Sequence, residues 1–396
     1  MSADSKELSA QIDLSDLDRL VGKEVVFAEL WDPCNATDIR RWAMAMDNPS
    51  PIHWDEEFAN ASKFGGIIAP QSFAVAMDYG HGCHPAGVGK IPGSHLIFGG
   101  EEWWYFGTPI RPGDKLFQKR RFDGYDLKET AFAGPTVFQR GDTEHRNQHG
   151  ALVARERATS IRYLREEANK RAVHGKERAE PRRWTKDELK EIHKLRHEWL
   201  MSNREGHSPA YGDVQVGDKL PRRVIGPHSV VTFVTEYRAF RQNVWGTWRW
   251  NVPEGKYDPA MEDAGFAEDM TYDHEAKKVD PRMGDGLYFG PSSGHVNLEK
   301  ADKIGLGGMY GYGASMNAWH VDYVAYWAGH DGYIWHSKTQ FRNPAFEGDI
   351  TYIDGEVIEK NDRSAFGCPI ATIQVTMTTQ EGEVILKGTA DVELPH

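Results

Sequence analysis

Two histidines of this chain stand in matching settings, and histidine is the residue type best suited to moving a proton near neutral pH. His53 lies in NPSPIHWDEEFANASKFGGIIAP (48–70), behind two prolines and ahead of a helix-like run that ends in a double glycine. His295 lies in GPSSGHVNLEKADKIGLGGMYGYG (290–313), where the spacing recurs. Ala59, Gly65 and Gly66 follow the first histidine as Ala301, Gly307 and Gly308 follow the second. The question is which of the two copies does chemistry. A purely structural reading stands beside it, in which His53 caps the first turn of the helix that follows. His320, His330 and His336 do not have the spacing to share a metal on one helix face, so no metal is expected.

The elements that position these histidines read as one fold written twice. LVGKEV (20–25) and QVGDKL (215–220) each open a half, with Gly22 and Gly217 195 residues apart. At that offset NATDIRRWAMAM (35–46) lies over VVTFVTEYRAFR (230–241), and both have the apolar spacing of amphipathic helices. Asn35 or Thr37 suits the cap of the first. The histidines are 242 residues apart, which places an insertion of 47 residues in the second half, at about 244–290. Beyond the histidines the halves run parallel again: FGTPIRPGDKL (106–116) matches FRNPAFEGDIT (341–351). Four alternating, strand-like runs close each half, separated by turn glycines. Long antiparallel strands after one helix imply an α+β fold, a curved sheet wrapped around a helix. Residues 1–164 and 210–396 are the expected domains. Between them, 165–209 reads as a charged linker with a surface helix at 185–201, where Thr185 and Glu188 have capping-box spacing.

Composition narrows the function classes. The chain has 396 residues, 39% apolar and 27% charged, which is globular. Its formal charge of -12 offers no positive field to nucleic acid. Its three cysteines, Cys34, Cys83 and Cys368, are too scattered for a zinc site or a disulfide framework. The polar start and the lack of an 18-residue apolar run predict a cytoplasmic protein without a membrane span.

AMAMDNPSPIHWDEEFANASKFGGIIAP resembles the N-terminal half of MaoC-like, (R)-specific enoyl-CoA hydratases/dehydratases in their fused double-hotdog form. GHVNLEKADKIGLGGMYGYG and the residues after it resemble the C-terminal hotdog of the same family. The resemblance implies a double hotdog, an acyl-CoA substrate bound where the halves meet, and no cofactor beyond the coenzyme A of that substrate. In the family a carboxylate and a histidine handle one water, and a backbone N–H at the start of the central helix stabilises the enolate oxygen. The family motif is Asp-x-Asn-Pro-aliphatic-His. Here His53, Ile52 and Pro51 match, Ser50 replaces the Asn, and Asn48 stands at the Asp place with Asp47 one residue early. In the second half His295 matches and Gly290 stands at the Asp place. The family's oxyanion glycine falls at Gly313 in the second half and at Gln71 in the first.

On that pattern the expected catalytic pair is His295 with Gly313 as oxyanion donor, the carboxylate coming from Asp285 in the insertion. His53 and Asp47 form the competing set. Asp47 also reads as a helix end and Asp285 as a turn aspartate. Asn48, Tyr312 and Trp245 (of WGTWRW) are expected to contact substrate. The expected activity is reversible addition of water to a 2-enoyl-CoA. The alternatives are a hotdog thioesterase and a non-catalytic acyl-thioester-binding partner subunit. A homodimer is the expected assembly.

Overall fold

Period-2 alternation is visible in nearly every strand of this protein, and it decides which face of the sheet is dry. A computed structural model describes residues 12–25, 32–78, 82, 84–173, 180–240 and 293–396. The first half supplies β1 (Glu24–Val25), β2 (Ser94–Tyr105), β3 (Leu116–Thr130), β4 (Gly134–Asn147) and β5 (Leu152–Leu164). The second supplies β6 (Lys219–Ile225), β7 (Tyr333–Phe341), β8 (Thr351–Asn361), β9 (Ile370–Thr378) and β10 (Val384–Glu393). All ten join one sheet in the order β1-β3-β4-β5-β2-β7-β10-β9-β8-β6. Each half has the same internal order, so the sheet is a pseudo-twofold object with its axis between β2 and β7. On β8 and β9, Ile353, Val357, Ile373, Val375 and Met377 alternate inward and are fully buried. Each such side chain stabilises the fold by ~1.5–3 kcal/mol.

The seam itself is antiparallel, from Gly100↔Gln340 to Trp104↔His336. Gly100 has φ +154, and a Cβ there would lie 2.3 Å from the Thr339 carbonyl oxygen, so only glycine lets the strands close at this bulge. His336 bridges the halves from β7, with Nδ1 3.0 Å from Asp391 and Nε2 3.0 Å from Glu102. Burial opposes the charged ring, but its bonds to the two carboxylates win and push its pKa up to about 9.

The helices repeat as the strands do. After α1 (Ser15–Leu20), α2 (Ala36–Ala45) carries a capping box between Asn35 and Asp38, and α3 (Glu56–Ala61) is capped by Asp55. Between the halves come α4 (Arg165–Arg171) and α5 (Lys186–Ser202), the latter boxed by Thr185 and Glu188. Although α5 is densely charged, it buries Ile192 and Trp199 and so is more than a solvated surface helix. In the second half α6 (Val230–Ala239) corresponds to α2 and α7 (Leu298–Lys303) to α3.

The central helices differ. α8 (Gly313–Ala328) is a full helix of 16 residues, whereas its counterpart is a 3₁₀ run of 7, Gln71–Met77. No helix among the described residues is long and apolar enough to cross a membrane.

Candidate active site

The two histidines are held in the same way. Each ends a 3₁₀ turn, Pro51–His53 and Ser293–His295. His53 Nδ1 lies 2.7 Å from the Ile68 carbonyl oxygen, and His295 Nδ1 lies 2.7 Å from that of Tyr310. Each partner is 15 residues downstream. A carbonyl only accepts, so Nδ1 carries the proton and Nε2 is left as an acceptor. Burial is the main cause that lowers both rings to about 4, and the carbonyl bond only partly opposes it. Both are therefore neutral at physiological pH.

What surrounds them is not equivalent. Ahead of His53, α2 stops at Met46 and the chain turns through Asp47 at φ +54. Arg223 of β6 secures this turn from the other half, donating from Nη2 to the carbonyl oxygens of Met46 (2.7 Å) and Asp47 (2.8 Å). A cation suits the carbonyl end of a helix. Next, the Asn48 side-chain oxygen accepts the Ser50 N–H at 3.0 Å, and Trp54 Nε1 donates to the Asn48 carbonyl at 2.8 Å. The Asn48 side chain helps to hold the Asp322 carboxyl of α8 down in pKa, while Asp322 Oδ2 has no hydrogen-bond partner among the described residues. The Oδ1 atom of Asp322 accepts from Ser72 Oγ at 2.7 Å, and Ser72 Oγ accepts from Trp42 Nε1 at 3.0 Å. Burial raises Asp322 to about 6, while Ser72, Arg223 and Asn48 hold it from rising further.

His53, Asn48 and Asp322 line one cavity of about 320 Å³, together with Ser50, Gln71 and Tyr105. Gln71 opens the 3₁₀ run, and its side chain clamps Ile334 of β7, donating to its carbonyl at 2.8 Å and accepting its N–H at 3.1 Å. Asp47 is not among the lining residues and meets the other half through its backbone carbonyl.

A second cavity, of about 600 Å³, is lined by His295, Tyr310, Tyr312 and Gly313 and by the rings of Phe98 and Phe341. The His295 ring centroid is 4.1 Å from those of both tyrosines. Gly313 starts α8, whose first N–H groups have no partner within the helix. A Cβ on Gly313 would come within 2.6 Å of both Phe98 and Phe341, so close packing by itself requires this glycine. No carboxylate is among the described residues that line this cavity. Asp285 and Trp245 lie outside the described residues.

Of the residues expected from the sequence, both histidines, Asn48, Tyr312 and Gly313 line these two cavities, and Asp322 was not among those expected. A signal for it exists: Asp322 is the one acidic residue of GASMNAWHVDYVAYWA, a helix that is otherwise apolar or neutral.

Comparison with known proteins agrees with this architecture. Residues 19–156 match the family described as the FAS1-like, dehydratase domain region. A solved MaoC-like dehydratase superposes with a TM-score of 0.59 at 16% identity, covering 96% of this chain and 99% of that one. A MaoC domain protein dehydratase from Chloroflexus aurantiacus gives 0.54 at 13% identity, covering 96% and 97%. A Mycobacterium tuberculosis protein described as having a double hotdog fold gives 0.53 at 11% identity, covering 96% and 98%. No match is found among curated proteins by sequence. Residues 19–156 are thus similar to a dehydratase domain region, and the likeness of the whole chain to these structures shows a double hotdog fold.

Proposed function

We propose that this chain is a hydratase/dehydratase that adds water reversibly to a 2-enoyl-CoA thioester, giving a 3-hydroxyacyl-CoA, and that the cavity shared by His53 and Asp322 is its reaction site. The observation that carries this reading is the pairing itself: a neutral imidazole with Nε2 as acceptor and a buried carboxylate line one small cavity. A water molecule has two O–H bonds. Two acceptors can hold both, which leaves an oxygen lone pair to attack the β-carbon. Asp322, ionised at neutral pH with a pKa of about 6, takes one proton as the C–O bond forms. The same proton then returns to the α-carbon, so none is gained or lost. The backbone N–H groups that begin the Gln71–Met77 run are the donors for the thioester oxygen as it gains charge.

In this reading Asn48 does not replace the family's carboxylate. It shares a cavity with one that the other half delivers, and it favours the charged form of Asp322. A second reading keeps the chemistry at His295, with the α8 N-terminus at Gly313 as oxyanion site and Asp285 as base. The wider second cavity and the orphan N–H groups at Gly313 favour it. The test is a series of 2-enoyl-CoAs, followed by loss of the enoyl absorbance and by release of free thiol. Absorbance loss without thiol supports a hydratase. Thiol release makes the chain a thioesterase, and neither change leaves an acyl-thioester-binding subunit. His53→Ala and His295→Ala then decide between the cavities.

A further inference from the structure

Away from both cavities, the first half buries a set of ionisable groups under its sheet. Asp78, Glu101, Arg120, His145 and Glu156 are each no more than 2% exposed. Asp78 follows the Gln71–Met77 run, and its Oδ1 accepts from Arg120 Nε at 3.1 Å. Glu101 accepts from Trp103 Nε1, and the Trp103 ring stacks on His145 with centroids 5.5 Å apart. Both ring nitrogens of His145 and both carboxyl oxygens of Glu156 have no hydrogen-bond partner among the described residues. His145 Nε2 and Glu156 Oε2 are 3.9 Å apart, too far for a hydrogen bond. Four orphaned lone-pair and donor positions at one buried point are costly unless something binds there.

From this arrangement we infer a divalent metal site, with Asp78, His145 and Glu156 as its protein ligands. One ligand atom from each of the three lies within 4.8 Å of the other two. Ligands held at ~2.1 Å from one ion stand up to ~4.2 Å apart, so closing the shell needs side-chain shifts of a few tenths of an ångström. The charge count points the same way. The two ligand carboxylates, Asp78 and Glu156, are both fully buried, and a divalent cation would supply the positive charge that stabilises them there. One imidazole with two carboxylates suits a first-row ion such as Zn²⁺, Mn²⁺ or Fe²⁺. Gly82 lies directly over the cluster. A Cβ on it would sit 2.4 Å from Glu156 Oε1, so the backbone approaches there as only glycine permits. None of the three ligands lines either cavity, so the ion would be structural, joining the end of the 3₁₀ run to β4 and β5.

The test is elemental analysis of the full chain, as purified and after separate incubation with Zn²⁺, Mn²⁺ and Fe²⁺, with thermal melts before and after chelation. The expected result is one tightly held ion per chain and a Tm that falls on chelation and recovers on re-addition, rising further with ion concentration. Glu156→Gln and His145→Gln should each abolish the bound ion. Should neither variant fold, X-ray absorption at the metal edge of the wild-type protein decides: a shell of one imidazole with oxygen donors supports the site. A protein that binds none of the three ions, an ion that both variants retain, or a shell containing sulfur overturns it.

Discussion

Replacing Asp322 by Asn removes the carboxylate charge while keeping the shape and an oxygen that can still accept from Ser72. Burial lifts this carboxyl from 3.8 to about 6. The folded protein therefore holds the proton more tightly than the unfolded chain does. Stability falls as pH rises from about 4 to about 6 and stays lower above that, by on the order of 3 kcal/mol. Asp322→Asn lifts that penalty. The variant should equal the wild type in stability below about pH 4 and exceed it above about pH 6, by up to ~3 kcal/mol less whatever attraction to Arg223 is lost. Hydration should fall by ~10²- to 10⁴-fold, the usual contribution of an acid–base group. Urea unfolding at several pH values and the enoyl-CoA absorbance assay measure the two effects on the same preparation. A variant that hydrates at the wild-type rate refutes the assignment. So does one that is less stable at every pH, since Asp322 would then be a structural residue.

His53→Ala should lower turnover by ~10²-fold or more with little change in substrate affinity, while His295→Ala should do less; the reverse order, in the same assay, moves the chemistry to the second cavity. Gly313→Ala should destabilise the protein by ~1–3 kcal/mol, because its methyl group meets the Phe98 and Phe341 rings at 2.6 Å; a chemical melt unchanged from the wild type would contradict that packing. His53, His228, His295 and His320 are all lowered to about 4, chiefly by burial. The unfolded chain protonates them near 6.5 and the folded one does not, so their share of stability is complete above that pH and is lost as pH falls toward 4. Unfolding free energy measured across that range should drop steeply, and a flat profile would mean that these rings are not buried as neutral groups.

Much of this was legible in the sequence because repetition is a strong signal. The paired glycines Gly22 and Gly217 both precede edge strands, at positive φ of 76 and 98. The matched histidines occupy equivalent turns, and the capping residues Asn35 and Thr185 do what their spacing predicts. The central helix entered only through the family resemblance, with its start expected at Gly313 in one half and Gln71 in the other. GASMNAWHVDYVAYWA forms a full helix, while QSFAVAM, with similar composition, tightens into a 3₁₀ run. Local propensity does not separate them. Nor does burial, since Phe73 to Met77 and most of α8 pack in one apolar core. Asp322 was missed for a different reason. Motif reading looks for a carboxylate near its histidine in sequence, and this one is 269 residues away on the other half.

That separation has a consequence for how the two halves depend on each other. Single hotdogs repeat one site by symmetry, and a fused pair is free to let the copies diverge. Here the histidine of the first half lines one cavity with a carboxylate on α8 of the second half. The turn that presents Asn48 is pinned by Arg223, again from the second half. Under the proposed reading, neither half holds a complete acid–base pair. Tolerating Asp322 as a buried anion depends on groups from both, since Ser72 donates and Asn48 favours the charge from one half, and Arg223 supplies its charge from the other. The β2–β7 seam therefore does more than extend the sheet. It fixes the relative position of a histidine and a carboxylate that the chain encodes at opposite ends, and a shift of ~1 Å there would act on catalysis before it acted on folding.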